Sequence, residues 1–184
     1  MSVGLLIAIV VVAAAVFVGL TYNRMVARRQ ATDNSWAQID VALRRRHDLV
    51  PTLVESVKGY ATHERGTFEN VAGARSAAIA AQGPPQRAAA EGRLTSAVGG
   101  VIAVAEDYPE LEASTNFSQL QGQLSDTEDQ IQITRRVYND TVQTYNTLIQ
   151  VFPAVLVARI FGFQPREFFE IEDPADREPV KVSF

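Results

Sequence analysis

Arg44-Arg45-Arg46-His47 is the densest run of charge-holding side chains in the chain, and the acids Glu128 and Asp129 lie far along the sequence from it. Guanidinium groups beside an imidazole suit a phosphoryl group, so one chemistry open to the run is phosphotransfer at His47, steadied by Arg44, Arg45 and Arg46. Binding of lipid headgroups or of an acidic partner is a second. A third is structural. Arg46 falls between Leu43 and Val50 on an apolar stripe, where a charge must be paired or line an interface. Glu128 and Asp129 flank Thr127 on another apolar seam and offer the carboxylates. Placement favours this internal ion network, with a partner or subunit contact next and His47 as a polar residue at a bundle edge.

Other chemistries find less material. The chain has two histidines and no cysteine, which removes thiol catalysis, disulfides and lipoprotein acylation together. On one ideal helix His47 and His63 point about 160° apart, so they do not share an ion there. No Glu-x-x-His pair of the di-iron type, Gly-rich phosphate loop or nucleophile elbow is present. Asp40, Glu55, Glu64 and Glu128 sit on long helical patterns with nothing to split their pKa values into acid and base. No catalytic, cofactor-binding or metal-ligating residue is assigned, and no cofactor is expected. A net charge of −4 and a pI near 5.2 argue against a nucleic-acid partner.

The elements that carry these residues begin with an apolar stretch. Residues 2–23 hold no charged side chain, and residues 3–20 are almost wholly aliphatic. As a helix they rise about 27 Å, close to a hydrocarbon core of about 30 Å. A removable signal peptide normally has a basic start and a shorter apolar core. A retained anchor is therefore expected at residues 1–23, with a basic juxtamembrane segment at 24–34. Arg24, Arg28 and Arg29 place the following domain in the cytoplasm and the amino terminus outside. On a helix continuous with the anchor, Arg46 stands about 36 Å beyond Tyr22, whereas surface attraction fades within about 8 Å. The run touches its own bilayer only if the chain folds back near Asp33.

Beyond the anchor the pattern is all-α. Asp33-Asn34-Ser35 offers N-cap residues for a first soluble helix, or that helix runs on from the anchor. Trp36, Ile39, Leu43, Val50, Leu53, Val57 and Tyr60 form its stripe, which continues less cleanly to Val71. Pro51 implies a kink or a new start. Gly83-Pro84-Pro85 ends that segment, and an alanine-rich helix follows from about Gln86 to Glu106, in which Gly99-Gly100 predicts bending or fraying. The third long helix keeps steps of three and four from Phe117 through Leu120, Leu124, Thr127, Ile131, Thr134, Tyr138, Thr141, Tyr145 and Leu148 to Phe152. Tyr138-Asn139 and Tyr145-Asn146 on it suggest interhelix hydrogen bonds. After Pro153 comes a short helix. The expectation is an N-terminal transmembrane helix, then an antiparallel bundle of three long helices and a short one over 35–162, then an aromatic and acidic tail at 163–184. Phe168, Phe169 and Phe184 are its candidate anchors, for packing on the bundle or for a partner. Small residues four apart in the first helix, Gly4 and Ala8 or Ala15 and Gly19, together with the heptad seam, favour a homo-oligomer.

Several strings carry a family resemblance. They include the segment from Trp36-Ala37-Gln38-Ile39 through Arg44-Arg45-Arg46-His47-Asp48-Leu49-Val50-Pro51, and Leu53-Val54-Glu55-Ser56-Val57-Lys58-Gly59-Tyr60-Ala61. Asn116-Phe117-Ser118-Gln119-Leu120-Gln121, Thr127-Glu128-Asp129-Gln130-Ile131, Phe152-Pro153 and Pro179-Val180-Lys181-Val182-Ser183-Phe184 add to them. The chain resembles the LemA family nearly end to end, anchor included. That resemblance implies one amino-terminal transmembrane helix, a long helical bundle and a structural role at membranes, since a relative in magnetosome-forming bacteria is tied to membrane remodelling. The functional expectation is a non-enzymatic scaffold on the lipid bilayer, in contact with its own copies or with other membrane or cytoplasmic proteins. The alternative is a signalling adaptor acting through His47.

Overall fold

A computed structural model describes residues 2–170, and among them every regular element is a helix. The order is α1 (Val3–Lys58), α2 (Arg65–Ala80), α3 (Pro84–Glu106), α4 (Pro109–Glu112), α5 (Thr115–Gln150) and α6 (Ala154–Phe161). The fold is all-α, as the periodicity implies.

Three local expectations resolve differently. No new helix starts at Asp33 or at Pro51, because α1 runs unbroken from the apolar stretch through both. The stripe read as far as Val71 is cut after Lys58. Tyr60 and Ala61 both donate to the Val57 carbonyl and close the turn. This break brings Phe68 and Val71 of α2 into one core with Leu53 and Val57. Third, α3 stays helical through Gly99 and Gly100. Val98 and Val101 on either side are buried, and tertiary burial outweighs the roughly 1 kcal/mol that each glycine costs.

The described residues form two compact units. The first comprises residues 2–38 and 136–167. The Trp36 and Tyr138 rings meet at a tilt of 52° with centroids 5.2 Å apart, and Met25 shares a core with Tyr145 and Ile149. The two helices therefore run antiparallel here. Ala154, Val157 and Ala158 of α6 complete that core, with Phe163 and the partly buried Val18. Gly162, at φ 69°, ends α6 in the left-handed conformation. Phe163 N–H donates to Ala158 O, and Gly162 N–H to Arg159 O, the paired bonds of a Schellman stop.

The second unit comprises residues 39–135 with 168–170. Its core joins Val50, Leu53 and Val57 of α1, Phe68 and Val71 of α2, Leu94, Val98 and Val101 of α3, Leu111 of α4, and Phe117 and Leu120 of α5. Gly83, at φ 76°, and Pro84 at the first turn set the entry of α3.

Candidate functional site

The basic run splits by helix face. Arg44 is exposed and pairs with Asp40, which also accepts from Arg87 Nη1 at 2.7 Å. Arg45 is exposed. Arg46 and His47 point inward, with only 4% and 5% of their surface left to solvent.

What meets them is Glu91 of α3, a fully buried carboxylate. Its Oε1 lies 2.7 Å from His47 Nε2, and its Oε2 accepts from Arg46 Nη1 at 3.4 Å. A carboxylate only accepts, so His47 carries hydrogen on Nε2. Arg46 Nη2 donates to Thr95 Oγ1 at 2.6 Å, and that hydroxyl donates on to the Glu91 carbonyl. Glu128 of α5 adds a longer ion pair to Arg46 at 3.5 Å, with a third of its side chain exposed. From α2, Arg75 Nε donates to the His47 carbonyl at 2.7 Å. Four helices thus converge on one buried charge cluster.

Of the sequence-derived set, Arg46, His47 and Glu128 come together, while Arg44, Arg45 and the exposed Asp129 face away. His47 is not at an edge; burial around it is nearly complete. Glu91 is the residue missed. Its signal was present, since Leu94, Val98, Val101 and Ala105 extend backwards in steps of three and four to position 91. In an alanine-rich helix that stripe has little contrast.

His63 lies in the turn after α1, not on the same helix as His47. Among the described residues no group of three or more histidines and acids is placed to hold a metal ion.

The first unit has a second polar arrangement. The Tyr138 hydroxyl donates to the Glu167 carbonyl at 2.8 Å, and the Tyr145 hydroxyl to that of Gln164 at 3.0 Å. Asn146 bonds Arg166 at both backbone N–H and C=O, and Arg166 Nη2 reaches Asp33 at 2.7 Å. These tyrosines were expected to bridge helices. Instead they fasten the non-helical segment after α6, whose backbone has no ladder of its own to satisfy it. Phe169 further along is fully buried, Phe168 remains 37% exposed, and Phe184 lies outside the described residues.

Burial pushes the Tyr138 phenol up to about 12, with nearby Arg166 pulling the other way. Burial raises Tyr145 as well. An unfolded tyrosine ionises near 10, so between pH 10 and about 12 the unfolded chain sheds this proton before the folded one does. Stability is therefore expected to fall through that window, by about 2 kcal/mol for Tyr138. Tyr138→Phe should flatten this part of the pH profile in urea unfolding, while costing about 1 kcal/mol at neutral pH for the lost hydrogen bond.

The LemA family profile matches residues 35–184, leaving the apolar stretch outside the match. The chain is 26% identical over 187 aligned positions to the magnetosome proteins MamQ 1 and MamQ 2 of Paramagnetospirillum magneticum, and equally to MamQ of Magnetospirillum gryphiswaldense. Each alignment covers 88% of this chain and 68% of the relative. With that profile spanning the helices that carry Arg46, His47, Glu91 and Glu128, the chain belongs to the LemA family.

Proposed function

We propose that the protein is a single-pass membrane scaffold: α1 anchors it in the bilayer, the remaining helices form a non-enzymatic assembly module, and several copies associate. One observation carries the reading. The apolar window of α1 is long enough to span a membrane and none of it is buried, yet the same helix continues into packed core. Thr21 and Met25 are buried and Val18 packs on the α6 cluster. Aliphatic surface left almost wholly exposed needs a non-aqueous surround, and removing the stretch as a leader would strip the Val18 contact from the first unit. This favours a retained anchor.

Arg24, Arg28 and Arg29 support a cytoplasmic module. The buried charges of the second unit are spent on one another, which suits architecture better than turnover. The magnetosome proteins among the relatives agree with a part in membrane organisation. Phosphotransfer at His47 draws no support from an enclosed ring whose Nε2 is held by Glu91.

The test is reconstitution of the full chain into vesicles, alkaline extraction, and light scattering of the detergent-solubilised protein. Retention in the membrane pellet and a defined mass of several protomers are expected. A protein that extracts freely, or that is monomeric in mild detergent, overturns the proposal.

A further inference from the structure

At the end of α5 the chain leaves an apolar surface that the described residues do not cover. Phe152 is 80% exposed, Ile160 75% and Leu156 52%. Phe152, Leu156 and Ile160 recur every four residues, so the latter two share one stripe of α6 and Phe152 continues it at the corner. The opposite face, Ala154, Val157 and Ala158, is the buried one.

The position of this surface on the first unit names its occupant. The Phe161 ring lies 4.8 Å from that of Tyr22, two residues beyond the end of the apolar stretch. Val18, inside that stretch, packs on the cluster that seats α6. The axes of α5 and α6 meet at 96°, and α5 runs antiparallel to α1 here, so α6 lies crosswise to the anchor at the level where the anchor leaves hydrocarbon. A helix in that attitude lies along the membrane plane. Arg159 is exposed on α6 and Arg24 on α1, and both can reach phosphates from the interface.

We infer that α6 and the corner before it form a second membrane contact, an interfacial helix that buries Phe152, Leu156, Ile160 and Phe161 in the leaflet around the anchor. Such helices sink about 5–10 Å into the boundary between headgroups and acyl chains. The contact fixes the first unit against the bilayer and stops it swinging about its anchor. This inference rests on the anchor reading.

The chain's lack of cysteine permits single-site labelling. Full-length Phe152→Cys, Ile160→Cys, Leu20→Cys and Val137→Cys, each carrying an environment-sensitive fluorophore, are reconstituted in phosphatidylcholine–phosphatidylglycerol vesicles. Some vesicles contain lipid with a nitroxide near the carbonyl end of its acyl chain. Probes at 152 and 160 are expected to shift to the blue and lose most of their emission to the nitroxide, as at 20, while the probe at 137 keeps its emission. Quenching at 20 without quenching at 152 and 160 overturns the second contact and leaves the anchor standing. A probe at 160 shielded from water but untouched by nitroxide, with Ile160→Cys cross-linking between copies, overturns it in favour of a second protomer. An unquenched probe at 20 overturns the anchor and this inference with it.

Discussion

Glu91→Ala is expected to destabilise the protein by about 3–5 kcal/mol, against the roughly 5–15 kcal/mol that holds a typical domain folded. The carboxylate is wholly enclosed and serves Arg46 and His47 at once. Its removal leaves a guanidinium with 4% exposure facing Thr95 and the more distant Glu128, and leaves an imidazole N–H aimed into the gap. Glu128→Ala should cost about 1 kcal/mol or less, because that side chain is partly solvated and its bridge is long. Joint replacement, Arg46→Met with His47→Leu and Glu91→Leu, should come close to neutral, since it removes every desolvated charge while filling similar volume. Urea unfolding of the full chain in detergent measures all three. Equal, small losses for Glu91→Ala and Glu128→Ala would mean that water reaches the cluster.

The asymmetry between Glu91 and Glu128 also shows what a sequence discloses about such a site. A charge on an apolar stripe is visible as an anomaly, so Arg46 stood out between Leu43 and Val50. Its partner is harder to find, because any acid on any facing helix satisfies the pattern until register is known. Glu128 and Asp129 looked equivalent beside Thr127, yet a helix turns about 100° per residue, and Asp129 ends in solvent. The α5 seam was legible through Phe117, Leu120, Ile131, Tyr138 and Tyr145, all buried. Within the first unit it passes to Val142 and Ile149 in place of Thr141 and Leu148, the drift of a 3.6-residue helix against a seven-residue repeat. Phe152, read as the last seam residue, lies past the helix end and is the most exposed large apolar side chain described. Eight residues of α6 are too few for periodicity to reveal which face is outward. The unbroken passage of α1 through Asp33 to Ser35 had the same root: good caps permit a helix start without compelling one.

Phe169→Ala is expected to cost about 3–5 kcal/mol, while Phe168→Ala should stay within about 0.5–1 kcal/mol. The neighbours differ in burial, although both lie in the non-helical segment after α6. Phe169 has no exposed surface and Phe168 keeps 37%. Just upstream, the carbonyls of Gln164, Arg166 and Glu167 are held by Tyr145, Asn146 and Tyr138, so the segment arrives with its backbone already ordered. Most of the entropy of placing Phe169 is then offset by neighbouring bonds, and truncation loses nearly the full transfer and cavity terms. A segment kept for a partner would behave oppositely: Phe169→Ala would leave the urea midpoint unchanged and weaken only association. Unfolding and light scattering on the same two variants separate these cases. A large loss confined to Phe169 makes the aromatic segment part of the folded core.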